Sequence, residues 1–125
     1  HVNILGMVAA EAAYTLGEEW LTQALAYLTA NRDFAVDFVR REMPALRTTN
    51  PEATYLLWLD CRDALGETNP QKFFFDQAKL VFNDGATFGD DGKGFIRLNY
   101  GCARATLERG LQQMKAALDG LAVVA

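Results

Sequence analysis

The chain is predicted to be an α+β protein: a long leading helix and a small, mostly antiparallel sheet of about three strands packed by helices. Three observations carry that prediction. Two helical stretches open the chain, three short aromatic and aliphatic runs follow them, and an amphipathic helix closes it. With 125 residues, half of them apolar and 22 % charged, the chain can bury about two-thirds of its unfolded surface, which suits one domain with one core.

The first stretch, Val2 to Tyr14, is small and apolar with Glu11 as its one charge, the composition of a helix packed closely on most sides. Gly17 interrupts it. Glu18 and Glu19 then supply first-turn negative charge, and Trp20, Leu21, Ala24, Leu25 and Leu28 recur at helical spacing. The pattern continues through Phe34, Phe38, Val39 and Met43 until Pro44 stops it. Such a helix of about 25 residues is roughly twice the mean length and is of the kind that connects two domains.

Thr48 to Pro51 reads as a turn, and Thr54 to Asp60 as a buried strand. A polar loop over 62–70 leads into a short helix over Gln71–Lys79 and a second strand near Lys79–Phe82, ended by a turn at Asn83-Asp84-Gly85. A hairpin loop at Asp91-Gly92 precedes a third strand, Gly94 to Tyr100. Leu107, Leu111, Met114, Leu118 and Leu121 mark one face of the closing helix. Trp20, Trp58 and the triplet Phe73-Phe74-Phe75 are expected in the core, although three successive phenylalanines on a helix cannot all face one way, so at least one should meet another domain or subunit.

Composition removes several chemistries. The twelve basic and sixteen acidic residues give a net charge of −4 without a basic stripe, which argues against nucleic acid. No apolar run reaches the roughly 18 residues of a membrane span, and no signal peptide is recognisable. Cys61 and Cys102 lie outside any CxxC pattern, as reduced thiols of a cytoplasmic protein do. There is no serine, and the one histidine is His1. A Ser-His-Asp triad, an internal Cys-His pair and an HExxH zinc site are therefore excluded, so neither catalytic nor metal-ligating residues are assigned. The glycine-rich stretch Gly89 to Gly94 lacks the Lys-Ser/Thr ending of a phosphate loop.

One residue stands out. Alternation puts Phe95, Arg97 and Asn99 on one side of the third strand and Ile96, Leu98 and Tyr100 on the other. An arginine inside an apolar strand must either pair with a protein carboxylate, for which Glu52 or Asp60 is available, or wait for an anionic ligand that its planar fork can grip.

The strings Asn50-Pro-Glu-Ala-Thr-Tyr-Leu-Leu-Trp-Leu-Asp60, Asn83-Asp-Gly-Ala-Thr-Phe-Gly89 and Gly94-Phe-Ile-Arg-Leu-Asn-Tyr-Gly-Cys-Ala-Arg104, with Ala12-Ala-Tyr-Thr-Leu-Gly-Glu-Glu-Trp-Leu21 ahead of them, resemble the C-terminal small domain of fold-type I pyridoxal-phosphate enzymes. The resemblance is to the cystathionine β-lyase or C–S lyase (MalY/PatB-type) branch of the class I/II aminotransferase family. It implies a division into leading interdomain helices (1–44) and an α+β subdomain (45–125), with Arg97 as the clamp for a substrate α-carboxylate. It also implies that the pyridoxal 5′-phosphate lysine belongs to a large domain upstream, since Lys72, Lys79, Lys93 and Lys115 lack its sequence setting. The implied partners are that large domain, an amino-acid substrate and a second copy in a homodimer. An aminotransferase of the same fold type is the alternative, and a free-standing interaction module a further one. Two departures from the family pattern are Ala53, where glycine is expected, and Ala103, where proline is common.

Overall fold

The computed structural model describes residues 3–122. Helix α1 spans Ile4–Leu16 and α2 spans Glu18–Glu42. Strand β1 (Arg47–Thr48) and strand β2 (Leu56–Asp60) follow, then helices α3 (Arg62–Leu65) and α4 (Pro70–Ala78). Strand β3 (Asn83–Asp84), two 3-10 turns (Gly85–Phe88 and Asp90–Gly92), strand β4 (Phe95–Asn99) and helix α5 (Arg104–Ala122) complete the order. The four strands form one antiparallel sheet in the order β1-β2-β4-β3. The α+β class is as expected, with a fourth, two-residue strand where a turn at Thr48 was expected.

The ends of the helices follow local chemistry. Asn3 caps α1 by accepting from the Gly6 N–H at 2.7 Å, and Asn69 caps α4 by accepting from Lys72 at 2.8 Å, with Pro70 pre-set at the first helical position. Glu18 and Glu19 open α2 and Arg40 and Arg41 close it, each favourable to the helix dipole. Between α1 and α2 the chain needs Gly17, because a Cβ there would strike the Ala13 carbonyl oxygen.

One face of the sheet is sealed. Leu57, Leu59, Ile96 and Leu98 point into a core with Ala35, Val36 and Val39 of α2, Phe74 of α4, and Leu107, Leu111 and Met114 of α5. The 19-residue α5 shows the leucine stripe read from its sequence. The 25-residue α2 is divided: its buried residues, Asn31 to Val39, all lie in its second half.

Helix α1 has no buried residue, so the close packing its composition suits is not supplied within the described residues; Val2 lies outside them. Ile4, Leu5, Met7, Val8, Tyr14 and Leu16 are all exposed. Trp20, expected in the core, is 74 % exposed, because helical periodicity identifies an apolar face without saying what covers it. The chain exposes 8534 Å², against the roughly 6,600 Å² of a compact monomer of its mass. Of the phenylalanine triplet, Phe73 and Phe74 are buried and Phe75 is half exposed.

Two further expectations are corrected. The loop at 62–70 contains α3. The segment 79–82 is not a strand: α4 ends on Lys79 in the left-handed region, and pairing with β4 begins only at Asn83 and Asp84, where a turn was expected. The hairpin loop expected at Asp91-Gly92 is present, joining the antiparallel strands β3 and β4 through 3-10 turns. Among the described residues no helix is long and apolar enough to cross a membrane.

Candidate functional site

The second face of the sheet carries the chemistry. Strand pairing sets Arg97 of β4 between Trp58 of β2 and Asn83 of β3, and residues paired directly across antiparallel strands share a face. The alternation read from the sequence holds: Phe95 and Arg97 are half-buried, Asn99 is exposed, and Ile96, Leu98 and Tyr100 are buried behind them.

Neither carboxylate considered for Arg97 pairs with it. Asp60 is taken by Arg62, whose Nε and Nη2 donate to its two oxygens at 2.9 and 2.7 Å, and this hydrogen bonding holds the Asp60 carboxyl below its ordinary value against the opposing effect of burial. Glu52 is exposed and forms no ion pair among the described residues. Arg97 instead donates from Nη2 to the neutral Asn83 Oδ1 at 3.1 Å, and its guanidinium carbon lies 4.5 Å from the centroid of the Phe88 ring. Its Nε is buried without a hydrogen-bond partner. An unmet buried donor is costly, by about 1–3 kcal/mol. The cation therefore sits among neutral groups with donor capacity in hand.

Aromatic rings continue from this arginine. Phe88 meets Trp58 edge to face at 5.7 Å, Trp58 stacks on Phe95 at 5.6 Å, and Arg62 lies over Phe95 at 4.7 Å. Asn83 and Phe88 were missed as site residues in the sequence reading. The available signal was an aromatic residue in the glycine-bounded string Gly85-Ala-Thr-Phe88-Gly89.

The back of β4 is fixed to α2. Asn31, fully buried, donates from Nδ2 to the carbonyls of Tyr100 and Cys102 at 3.0 and 2.8 Å. Its Oδ1 accepts from Arg104 Nε at 2.8 Å, and Arg104 also rests over Phe34. The Arg104 N–H donates to the Tyr27 hydroxyl at 2.7 Å, which supports the start of α5. Ahead of β2, the left-handed conformation falls on Thr54 (φ 70°) beside Ala53, and the Thr54 carbonyl accepts from the Tyr100 hydroxyl at 3.0 Å.

The four lysines are surface groups with partners. Lys72, Lys93 and Lys115 pair with Asp76, Asp90 and Asp119 at 2.6, 2.9 and 2.6 Å, and Lys79 donates to the Asp76 carbonyl at 2.8 Å. The bond to Asp119 raises the Lys115 pKa, opposite to the shift that makes an amine nucleophilic. Among the described residues no group of three or more His, Cys, Asp or Glu side chains could hold a metal ion.

No family model matches the chain. It is 37 % identical over 119 residues to the cystathionine β-lyase PatB of Bacillus subtilis, covering 94 % of this chain and 31 % of that protein. It is 41 % identical over 120 residues to a cystathionine β-lyase of Corynebacterium glutamicum, with the same coverage of 94 % and 31 %. The solved structure of the PLP-bound C–S lyase from Staphylococcus hominis superposes with a TM-score of 0.86 at 36 % identity, over 93 % of this chain and 31 % of that one. The chain thus spans under a third of the length of these relatives, and pyridoxal 5′-phosphate is the cofactor of this enzyme type.

Proposed function

The chain matches a C-terminal fragment of a MalY/PatB-type enzyme, and from that premise we propose that it is the small, substrate-orienting domain of a C–S β-lyase acting on cystathionine or related cysteine conjugates. The observation that carries this reading is Arg97: a half-buried guanidinium with no carboxylate partner among the described residues, held by an amide and a ring. Its planar fork is matched to a carboxylate by two parallel hydrogen bonds, which fix orientation as well as position. A substrate held there by its α-carboxylate has its Cα and Cβ–S bond directed at the reacting centre. In the complete enzyme pyridoxal phosphate would supply the electron sink for loss of the Cα proton and departure of the thiol.

The cofactor lysine belongs, on this reading, to a large domain of the same polypeptide, as the settings of the four lysines suggest. The exposed apolar residues of α1 and the first half of α2 are the surface on which that domain, and a second copy in a homodimer, would pack. Reduced thiols at Cys61 and Cys102 suit a cytoplasmic enzyme.

The test is steady-state thiol release from L-cystathionine by the complete enzyme and its Arg97 variants. Arg97→Lys keeps the charge and loses the two-point grip, so affinity and turnover should fall together. Arg97→Ala should be worse, by at least about 1.5–3 kcal/mol of barrier. Pyridoxal phosphate absorbance should survive both changes. An Arg97→Ala rate within about twofold of wild type, under about 0.5 kcal/mol, would exclude the carboxylate role, and amino transfer in place of thiol release would move the protein to the aminotransferases.

A further inference from the structure

Arg97 is gripped on two sides by groups that carry no charge. The sheet register puts Asn83 beside it, and the 3.1 Å bond from Nη2 takes one guanidinium donor. Phe88 arrives from the loop and sets its ring 4.5 Å from the guanidinium carbon. That loop is itself secured. Asp84 accepts from the Ala86 N–H at 3.0 Å and from Asn69 at 2.7 Å. Gly85 passes so close to Gly92 that a Cβ on either would strike the other's carbonyl, and Trp58 backs the Phe88 ring. Phe88 is therefore delivered to the arginine by a constrained segment rather than by a free tip.

We infer that Asn83 and Phe88 are positioning residues that form an uncharged clasp on Arg97, fixing its guanidinium for the substrate α-carboxylate without neutralising it. This rests on the carboxylate role proposed for Arg97. An aspartate at position 83 would hold the arginine more strongly, but as a closed ion pair it would compete with the ligand. A neutral amide restrains the side chain and leaves its charge unspent, and a ring face attracts the cation while offering it no proton acceptor of carboxylate strength.

Kinetics of L-cystathionine cleavage by the complete enzyme, with thermal unfolding of each variant, test the clasp. Asn83→Asp should raise KM by about tenfold, the factor of one charge-assisted contact in competition, with a smaller fall in kcat and no loss of thermal stability. A purely structural Asn83 would instead give unchanged KM, and that result would overturn the inference. Phe88→Leu keeps an apolar side chain and removes the ring; kcat/KM should fall roughly fivefold, as about 1 kcal/mol of cation–π attraction requires, and Phe88→Tyr should recover most of the loss. Equal losses in the leucine and tyrosine variants would also overturn it. In an Arg97→Lys background the Phe88→Leu effect should shrink, whereas an undiminished effect would mean that Phe88 does not act through the arginine. If Arg97→Lys alone changes nothing, the carboxylate role fails first, and the two failures are told apart.

Discussion

The two faces of the sheet are made by the same strands and differ in what they leave unmet. Behind β2 and β4, Leu57, Leu59, Ile96 and Leu98 are closed off by three helices, and Asn31 finds a partner for each of its polar atoms. In front, Arg97 retains a buried donor with no partner, and the rings of Trp58, Phe88 and Phe95 are only partly covered. The difference separates stability from ligand readiness. A face that satisfies itself has nothing to offer a substrate, and a face that offers something carries an energetic debt.

The sharpest way to break that division is to cut the inner face. Leu59→Ala should cost about 2–5 kcal/mol of stability, as buried leucine truncations do, measured by denaturant unfolding of the chain. In the complete enzyme under conditions where it stays folded, KM should hold. A large KM change at constant stability would merge the two faces. Next, Asn31→Ala should cost about 1–3 kcal/mol, because it leaves the Tyr100 and Cys102 carbonyls and the Arg104 donor unsatisfied. Equal unfolding midpoints for wild type and variant would show water replacing the amide.

On the outer face, Arg97→Leu should shift stability by under about 1 kcal/mol in either direction, since the lost Asn83 bond and ring contact are offset by removal of an orphaned donor. A loss of several kcal/mol would make Arg97 a structural residue.

The remaining effects are ionisations at the end of β2, felt only away from neutral pH. Burial, helped by the Asp60 charge, pushes the Cys61 thiol up to about 12 from an ordinary thiol value near 9.0. A raised folded-state value means its contribution to stability is complete below about pH 9 and is lost as pH climbs toward 12. At pH 8, iodoacetamide should therefore label Cys102 and spare Cys61 in peptide mass spectra. For Asp60 the sign is reversed. Its lowered value gives a contribution present above the usual carboxylate range and lost as acid protonates the folded state, so Asp60→Asn should flatten the acid limb of the unfolding curve.

Helices and the β4 alternation were legible because each repeats a period over enough residues to be read: α2 through Leu21, Leu25, Leu28 and Val39, and β4 through Ile96 and Leu98, continued by Tyr100 just past its end. Two-residue strands contain no period. Arg47–Thr48 and Asn83–Asp84 exist because neighbouring strands accept them, while the apolar run at 79–82 reads as a strand in sequence but is coil, with Leu80 and Phe82 partly buried against the core and Val81 exposed. Arg97 was visible as a cation out of place in an apolar run. Its companions were not, since a polar Asn83 and a loop Phe88 acquire meaning only through register and loop closure. Trp20 marks a different limit: its spacing identified an apolar side of α2, and no feature within the described residues lies over it.

The Asn31 latch also sets how the long helix comes apart. Ahead of it, α1 and the first turns of α2 rely on their own backbone hydrogen bonds, and unsupported helix of that length is marginal in water. Behind it, opening the helix means breaking the side-chain bonds to the end of β4 and exposing the core. Amide hydrogens from Ile4 to about Gln23, ahead of the Tyr27 bond to Arg104, should therefore exchange through local fraying, and those from Asn31 to Val39 only when the sheet opens with them. A single continuous helix thus contains a boundary between two cooperative units, and deuterium uptake in the chain by itself should change abruptly within one turn of Asn31.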